Sequence, residues 1–190
     1  MITDIRRAVL SKITLLLCLI FGLSSPLWAD QHRSIKDFYG EFVGHAGTAE
    51  YSGERDRDMS VSIRPAKQSG HFNIKWTTVV HKADGRIKRK VYSIRFTPSR
   101  RHNIYSSAMK INVFGGMEAM DPLQGDPFVW ARIKGDTLTV HALIISEDGD
   151  YEMQTYDRTL NAKGLWVDFT RRGRDDHIRK INTQLVRVAD

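Results

Sequence analysis

Regular alternation of apolar and polar residues is the feature of this sequence that most constrains its fold. It is clearest in residues 72–76 (FNIKW) and 92–96 (YSIRF). A period of two places one face of a β-strand in a core and the other face in water. Helical periodicity is nearly absent after residue 30, so the sequence predicts an all-β protein.

Short turn signals separate the alternating segments. Glycine lies beside aspartate in residues 83–85, 134–136 and 147–150, and it follows asparagine by three residues in 161–164. Such glycines supply the positive φ that tight hairpins need. The sequence therefore predicts about ten strands, near residues 38–50, 57–65, 70–81, 87–97, 102–109, 127–134, 137–145, 151–160, 164–171 and 177–188.

Strands joined by short hairpins pair with their neighbours in antiparallel fashion. An open sheet of so many strands would expose two long edges, and closure removes both. We therefore expect an antiparallel up-and-down barrel of about 8–10 strands. This barrel is expected to form a single domain over residues 30–190.

The first 29 residues have the pattern of a secretory signal peptide. Arg6, Arg7 and Lys12 precede an apolar run at residues 13–23, and the segment ends at Ala29. The run is too short for a bilayer span, which needs roughly 20 residues. We expect cleavage after Ala29 and a periplasmic or secreted protein. Because the one cysteine of the chain, Cys18, lies in this segment, the expected mature domain has no disulfide.

The chain is basic, with a formal net charge of +7. Its charges are mixed along the sequence, whereas nucleic-acid modules concentrate them in one patch, so we expect no nucleic-acid partner. Two basic groups, at residues 86–90 and 100–102, bracket one predicted strand. Together they predict a basic rim near one barrel end, suited to peripheral contact with an anionic membrane. The alternative is that these charges protect the strand edges from aggregation.

Residues 35–42 resemble the start of the first strand in lipocalin-like (calycin) barrels. In those barrels a short helical turn leads into a Gly-x-Trp strand, and here Gly40 is followed by Glu41 and Phe42. In that superfamily an arginine of the last strand packs over the aromatic ring. The resemblance therefore implies that Phe42 and Arg187 form a barrel-closing pair, and it implies a cavity for a small, mostly apolar ligand. The chain also resembles the small uncharacterised exported domains of proteobacteria.

Aromatic and basic residues at period-two spacing are the candidate ligand-binding residues. An arginine beside a tyrosine inside a barrel could hold a carboxylate or phosphate through charge-assisted hydrogen bonds. The commoner alternative is an arginine on the solvent face, and a buried, hydrogen-bonded histidine is commoner than a histidine that binds a ligand. The predicted ligand-binding residues are Trp76, Phe128, Trp130, Arg132, His141, Tyr156 and Arg158.

Residues 111–127 break the strand pattern. The segment contains three glycines and two prolines, yet also several large apolar residues. Long apolar loops in compact domains often act as lids, and the predicted lid residues are Phe114, Met117 and Met120. The alternative is a packed plug that closes one barrel end.

Motifs for catalysis or metal binding are absent from the sequence. It has no nucleophile elbow, phosphate loop or zinc-protease motif, and its seven histidines show no metal-ligand spacing. We expect no cofactor and no metal, and an enzyme is the less favoured class. The leading hypothesis is an exported barrel that binds a small apolar or amphipathic molecule, with lipid-like anions among the candidates. The alternative is an envelope interaction module whose barrel is filled by side chains.

Overall fold

The computed structural model describes residues 33–47, 56–82, 84–107, 110–111, 117–118, 120–174 and 178–190. These residues belong to one compact unit, His32–Asp190. The predicted signal peptide, Phe114 and the side chain of Met117 lie outside the described residues. No helix in the part of the chain that the structure describes is long and apolar enough to cross a membrane.

The described chain consists almost entirely of β-strands. Their bounds are β1 Gly40–Ala46, β2 Arg57–Pro65, β3 Phe72–His81, β4 Ile87–Pro98, β5 Ile104–Ser107, β6 Lys110–Ile111, β7 Met117–Glu118, β8 Phe128–Lys134, β9 Thr137–Ile145, β10 Tyr151–Asn161, β11 Gly164–Gly173 and β12 Ile178–Ala189. Two short 3₁₀-helices, η1 Ile35–Phe38 and η2 Pro122–Gln124, complete the described elements.

Ten of the described strands close into one antiparallel barrel. Their order around the barrel is β1-β12-β11-β10-β9-β8-β5-β4-β3-β2, and the short strands β6 and β7 pair only with each other. Each barrel strand is antiparallel to both neighbours. The predicted fold class, a closed antiparallel all-β barrel, is therefore confirmed.

The period-two pattern decides which side chains fill the barrel. In β3, Phe72, Ile74 and Trp76 point into the core and are at most 6% exposed, while the intervening residues face outward. Burial of each such side chain contributes about 1.5–3 kcal/mol relative to exposure. The predicted turn glycines also behave as expected: Gly85, Gly135 and Gly149 have φ of 79°, 54° and 82°.

The barrel closes where the first strand meets the last. Phe42 of β1 pairs with Arg187 of β12 next to a local register shift. The Arg187 guanidinium lies 4.7 Å from the Phe42 ring centroid. It also donates hydrogen bonds to the carbonyl oxygens of Tyr39 and Asp37, the latter at 3.3 Å. One side chain thus ties the last strand to both η1 and the first strand.

Glycine at position 40 makes this arrangement possible. Gly40 has a φ of 143°, which side chains rarely adopt. A Cβ atom there would lie 2.6 Å from Nη1 of Arg187 and 2.9 Å from the carbonyl oxygen of Ala189. The absence of a side chain at Gly40 therefore provides the space that the Arg187 guanidinium occupies.

The hairpin topology separates the barrel into two ends. Helix η1 and the β4–β5 turn lie at one end, the closed end, and the β3–β4 turn lies at the other, the open end. Strand β4 is 12 residues long, which corresponds to about 40 Å. Residues 86–90 and 100–102 therefore lie at opposite ends of the barrel. The expectation that they form one basic rim is wrong, because a single long strand separates them.

Substitution of the closing arginine should destabilise the barrel. We expect Arg187→Ala to lower the free energy of unfolding by about 1–3 kcal/mol, because it removes a cation–π contact and two hydrogen bonds to carbonyl oxygens. Urea unfolding followed by tryptophan fluorescence measures this change. Arg64→Ala is the control, since Arg64 is 60% exposed in its ion pair with Glu41. This substitution should lower the free energy of unfolding by less than about 1 kcal/mol. Equal losses in the two variants would contradict a closing role for Arg187.

Candidate ligand-binding site

Three side chains form a layer across the barrel interior. Trp76 lies on β3 and Tyr156 on β10, and these strands are on opposite walls. Their ring centroids are nevertheless only 5.2 Å apart. The Arg158 guanidinium carbon lies 5.3 Å from the Trp76 ring centroid and 5.4 Å from that of Tyr156. We call Trp76, Tyr156 and Arg158 the floor layer, because together they divide the barrel interior.

The two sides of the floor layer differ in packing. Toward the closed end the interior is filled by fully buried apolar side chains, among them Phe42, Ile63, Phe72, Phe96, Leu138, Leu165 and Leu185. Toward the open end lies a cavity of about 280 Å³. Its walls carry the apolar side chains of Met59, Val61, Val80, Val167, Phe169 and Ile181. The barrel is thus filled in one half and hollow in the other.

The charged residues that line the cavity are all basic. They are Arg57, Lys88, Lys90, Arg158, Arg171 and Arg179, and no acidic residue is among the described residues of the lining. Arg171 forms an ion pair of 2.5 Å with Glu152 near the rim. A concave site lined by one sign of charge concentrates ions of the opposite sign. The cavity therefore favours anions.

Arg158 differs from the other basic residues because it is buried, with only 1% of its surface exposed. Its Nη1 atom donates one long hydrogen bond, 3.4 Å, to the backbone oxygen of Tyr156. Its Nε atom is buried without a hydrogen-bond partner. Burial lowers the pKa of Arg158 to about 10, which still leaves the guanidinium charged at neutral pH. A buried charge is thus held with most of its hydrogen-bonding capacity unused.

The Tyr156 hydroxyl is already engaged within the barrel. It donates a hydrogen bond of 2.7 Å to Oε1 of Gln154, and the Gln154 amide in turn donates to Glu152. Burial raises the pKa of Tyr156 to about 12, so its hydroxyl stays protonated. The inner face of β10 therefore carries a polar chain from the floor layer toward the rim. Within the floor layer, Arg158 is the charged group with donors to spare.

The structure divides the predicted ligand-binding residues into two groups. Trp76, Tyr156 and Arg158 line the cavity. The other four, Phe128, Trp130, Arg132 and His141, lie on the outer face of the barrel and do not line the cavity.

The outward position of these four follows from the alternation in β8. Val129, Ala131 and Ile133 are the buried residues of that strand, so Phe128, which is 47% exposed, Trp130 and Arg132 face outward. Trp130 stacks on His141 with ring centroids 4.7 Å apart. Burial and the charge of Arg132 lower the pKa of His141. Large aromatic rings and basic side chains share the outer face of β8, so ring size alone does not identify the inner face.

The predicted lid is only partly described. The connection between β5 and β8 follows the end of β5 that points toward the open end, and β8 begins on the open-end side. Within it Met120 is half-buried, Leu123 is 81% exposed, and η2 lies beside β9. Phe114 lies outside the described residues, as does the side chain of Met117, so the choice between lid and plug stays a prediction.

Sequence reasoning missed several cavity residues, notably Lys88 and Lys90. Both line the cavity mouth together with Tyr92. Phe96 and Ile94 face inward, and counting back by two residues from them reaches Tyr92, Lys90 and Lys88. The same period-two rule that identified the core could therefore have placed these lysines on the inner face.

No group of three or more histidine, cysteine, aspartate or glutamate side chains within the described ranges is positioned to hold a metal ion. Comparisons of the chain with protein-family models, curated proteins and solved structures find no match. The chemistry of the cavity is therefore the feature that bears on function.

An ionic cluster lies outside the barrel near the open end. The Asp58 carboxylate is 3.0 Å from Nδ1 of His45 and 2.7 Å from Nε2 of His81. The hydrogen bond to Asp58 raises the pKa of His45. The hydrogen bonds from His81 and His45 lower the pKa of Asp58.

The pKa shift of His45 predicts a pH-dependent stability. Because its pKa is raised on folding, the stabilisation is present below the unfolded pKa of about 6.5 and is lost as the pH rises through the folded pKa. Asp58→Asn should lower the pKa of His45 in an NMR titration. It should also cost more stability at about pH 6 than at about pH 9. Asp84→Asn, at another open-end carboxylate, is the control, and an unchanged His45 titration in Asp58→Asn would contradict the assignment.

Proposed function

We propose that this barrel binds a small amphipathic anion, with its head group on Arg158 and its apolar part in the cavity above. The observation that carries the proposal is the burial of Arg158 at the cavity floor without an acidic partner. An unpaired charge in a low-dielectric interior costs several kcal/mol. A carboxylate or phosphate head group supplies the missing partner through charge-assisted hydrogen bonds.

The size and walls of the cavity support a small ligand. A volume of about 280 Å³ is near the lower end of ligand pockets, which span about 300–1,000 Å³. The apolar walls, Val61, Val167 and Ile181 among them, suit one short chain or one ring system. A ligand with an apolar body and one anionic group matches both parts of the lining.

The distribution of positive charge favours entry of the head group first. Arg158 is buried in the floor layer, whereas Lys88 and Lys90 are exposed at the mouth. The outer cations attract the anion from solution, and the buried guanidinium holds it where water no longer competes. The apolar tail of the ligand then points toward the open end.

The proposal includes a lipocalin-like type of barrel and an exported location. The closed ten-strand barrel and the packing of Arg187 on Phe42 support the first. The signal-peptide pattern of residues 1–29 supports the second. Cell fractionation of the host tests the location, and recovery of the protein in the cytoplasm at full length would oppose it.

The alternative function is a non-enzymatic interaction module of the envelope with a filled barrel. The filled part of the described barrel ends at the floor layer, and a cavity lies beyond it. The outer face does carry exposed aromatic rings, with Phe128 packed 5.6 Å from Trp130. The cavity supports ligand binding more strongly than the exposed rings support an interaction module. An unpaired buried charge and apolar walls lie together at that one site.

Two matched dyes test the proposal. The anionic dye 8-anilinonaphthalene-1-sulfonate and the uncharged N-phenyl-1-naphthylamine share the same ring system. We expect Arg158→Met to weaken binding of the anionic dye about tenfold to a hundredfold, because it removes charged hydrogen bonds. Binding of the uncharged dye should stay equal or become tighter. Fluorescence titration measures both affinities.

A control and a stability measurement separate binding from folding. Arg132→Met removes an arginine from the outer face and should change neither affinity. Because replacing an unpaired buried charge with an apolar side chain is neutral or stabilising, Arg158→Met should not lower the urea midpoint. If Arg158→Met lost affinity for both dyes, or bound the anionic dye as tightly as the wild type, the result would oppose a head-group site at Arg158.

A further inference from the structure

The β3–β4 hairpin, defined here as residues 82–92, combines positive charge with exposed apolar side chains. It contains five basic residues and one acidic residue, Asp84, a net charge of +4 (5 − 1). Ile87 is 66% exposed and Val91 is 46% exposed. Large apolar side chains in the middle of a strongly charged surface point to a function in binding.

The two faces of this hairpin have different neighbours. Lys88, Lys90 and Tyr92 face inward and line the cavity mouth. Ile87, Arg89 and Val91 alternate with them and therefore face outward. The same hairpin thus forms one wall of the cavity and an outer surface of alternating apolar and basic side chains.

One edge of the hairpin has no strand partner among the described residues. Strand β4 pairs with β5 only through Phe96, Thr97 and Pro98. Within the described ranges, residues 87–95 have a strand partner on the β3 side alone. Among the described strands, the hairpin therefore extends beyond the paired part of the wall at the open end.

We propose that the β3–β4 hairpin docks on the surface of an anionic lipid bilayer. Arg89 contacts the head groups together with Arg86, which exchanges its exposed ion pair with Asp84 for a lipid phosphate. Ile87 and Val91 enter the interface. Basic residues near such a surface are attracted to its anionic head groups, and apolar side chains among them anchor the contact. Protection of a strand edge accounts for the charges, but it does not account for exposed Ile87 and Val91. Docking in this way brings the cavity mouth to the lipid surface.

The charge contribution is tested with matched variants and vesicles. The protein is purified in the form that its host accumulates and is mixed with phosphatidylcholine vesicles, with or without phosphatidylglycerol. The vesicles are then sedimented, and the protein bound to them is measured. We expect binding only to the anionic vesicles. Arg86→Glu/Arg89→Glu should weaken this binding about tenfold or more. Arg100→Glu/Arg101→Glu makes the same charge change at the closed end. This control variant should retain most of the wild-type binding to anionic vesicles.

The apolar contribution has its own variant. Ile87→Ser/Val91→Ser leaves the charge unchanged and should weaken binding to anionic vesicles, most visibly at raised salt, where electrostatic attraction is screened. The affinity for the uncharged N-phenyl-1-naphthylamine should be unchanged in the hairpin variants, which also shows that they are folded. Arg158→Met should bind vesicles like the wild type, so failure of the cavity proposal and failure of the docking proposal are distinguishable.

Three results would overturn the docking proposal. One is the absence of wild-type binding to anionic vesicles. Another is an equal loss in Arg86→Glu/Arg89→Glu and in the closed-end control. The third is a wild-type dimer in analytical ultracentrifugation that the hairpin variants convert to a monomer, because a second copy would then cover this surface.

Discussion

The contact between Trp76 and Tyr156 across the barrel, with Arg158 against both rings, determines how the interior is used. A barrel of eight strands is just wide enough for side chains to fill, and this barrel has ten described strands. Two large rings from opposite walls, 5.2 Å apart, are needed to span it. Apolar side chains pack against one side of this layer, and the other side borders the cavity.

Two arginines show how differently the same side chain serves this barrel. Arg187 lies on Phe42 and donates to two carbonyl oxygens, so its guanidinium is engaged in closing the barrel. Arg158 lies on two rings, but its Nε has no hydrogen-bond partner. Packing alone would be served equally well by an apolar side chain. In the proposed function, an anionic ligand pairs with the buried charge of Arg158.

Much of the fold follows from the sequence, because alternation and turn glycines are local signals. The strand that contains Trp76 follows from them, as does the shared face of Tyr156 and Arg158, but not that this face is the inner one. The outward position of Trp130 is harder to predict, since large aromatic rings and basic side chains share one face of β8. The cavity itself could not be predicted, because its extent depends on which side chains meet across the barrel. Arg86 and Arg100 lie at opposite ends of the barrel because the full length of β4 separates them.

The central claim is that the floor of the cavity holds an anion on Arg158. A crystal structure of the protein with 10-bromodecanoate tests it most directly, since anomalous scattering from bromine locates the chain end. The account predicts the carboxylate within about 2.7–3.2 Å of the Arg158 guanidinium, with bromine toward the open end. A carboxylate bound at Lys88 or Lys90 above an unchanged Arg158, or a barrel without bromine, would contradict it.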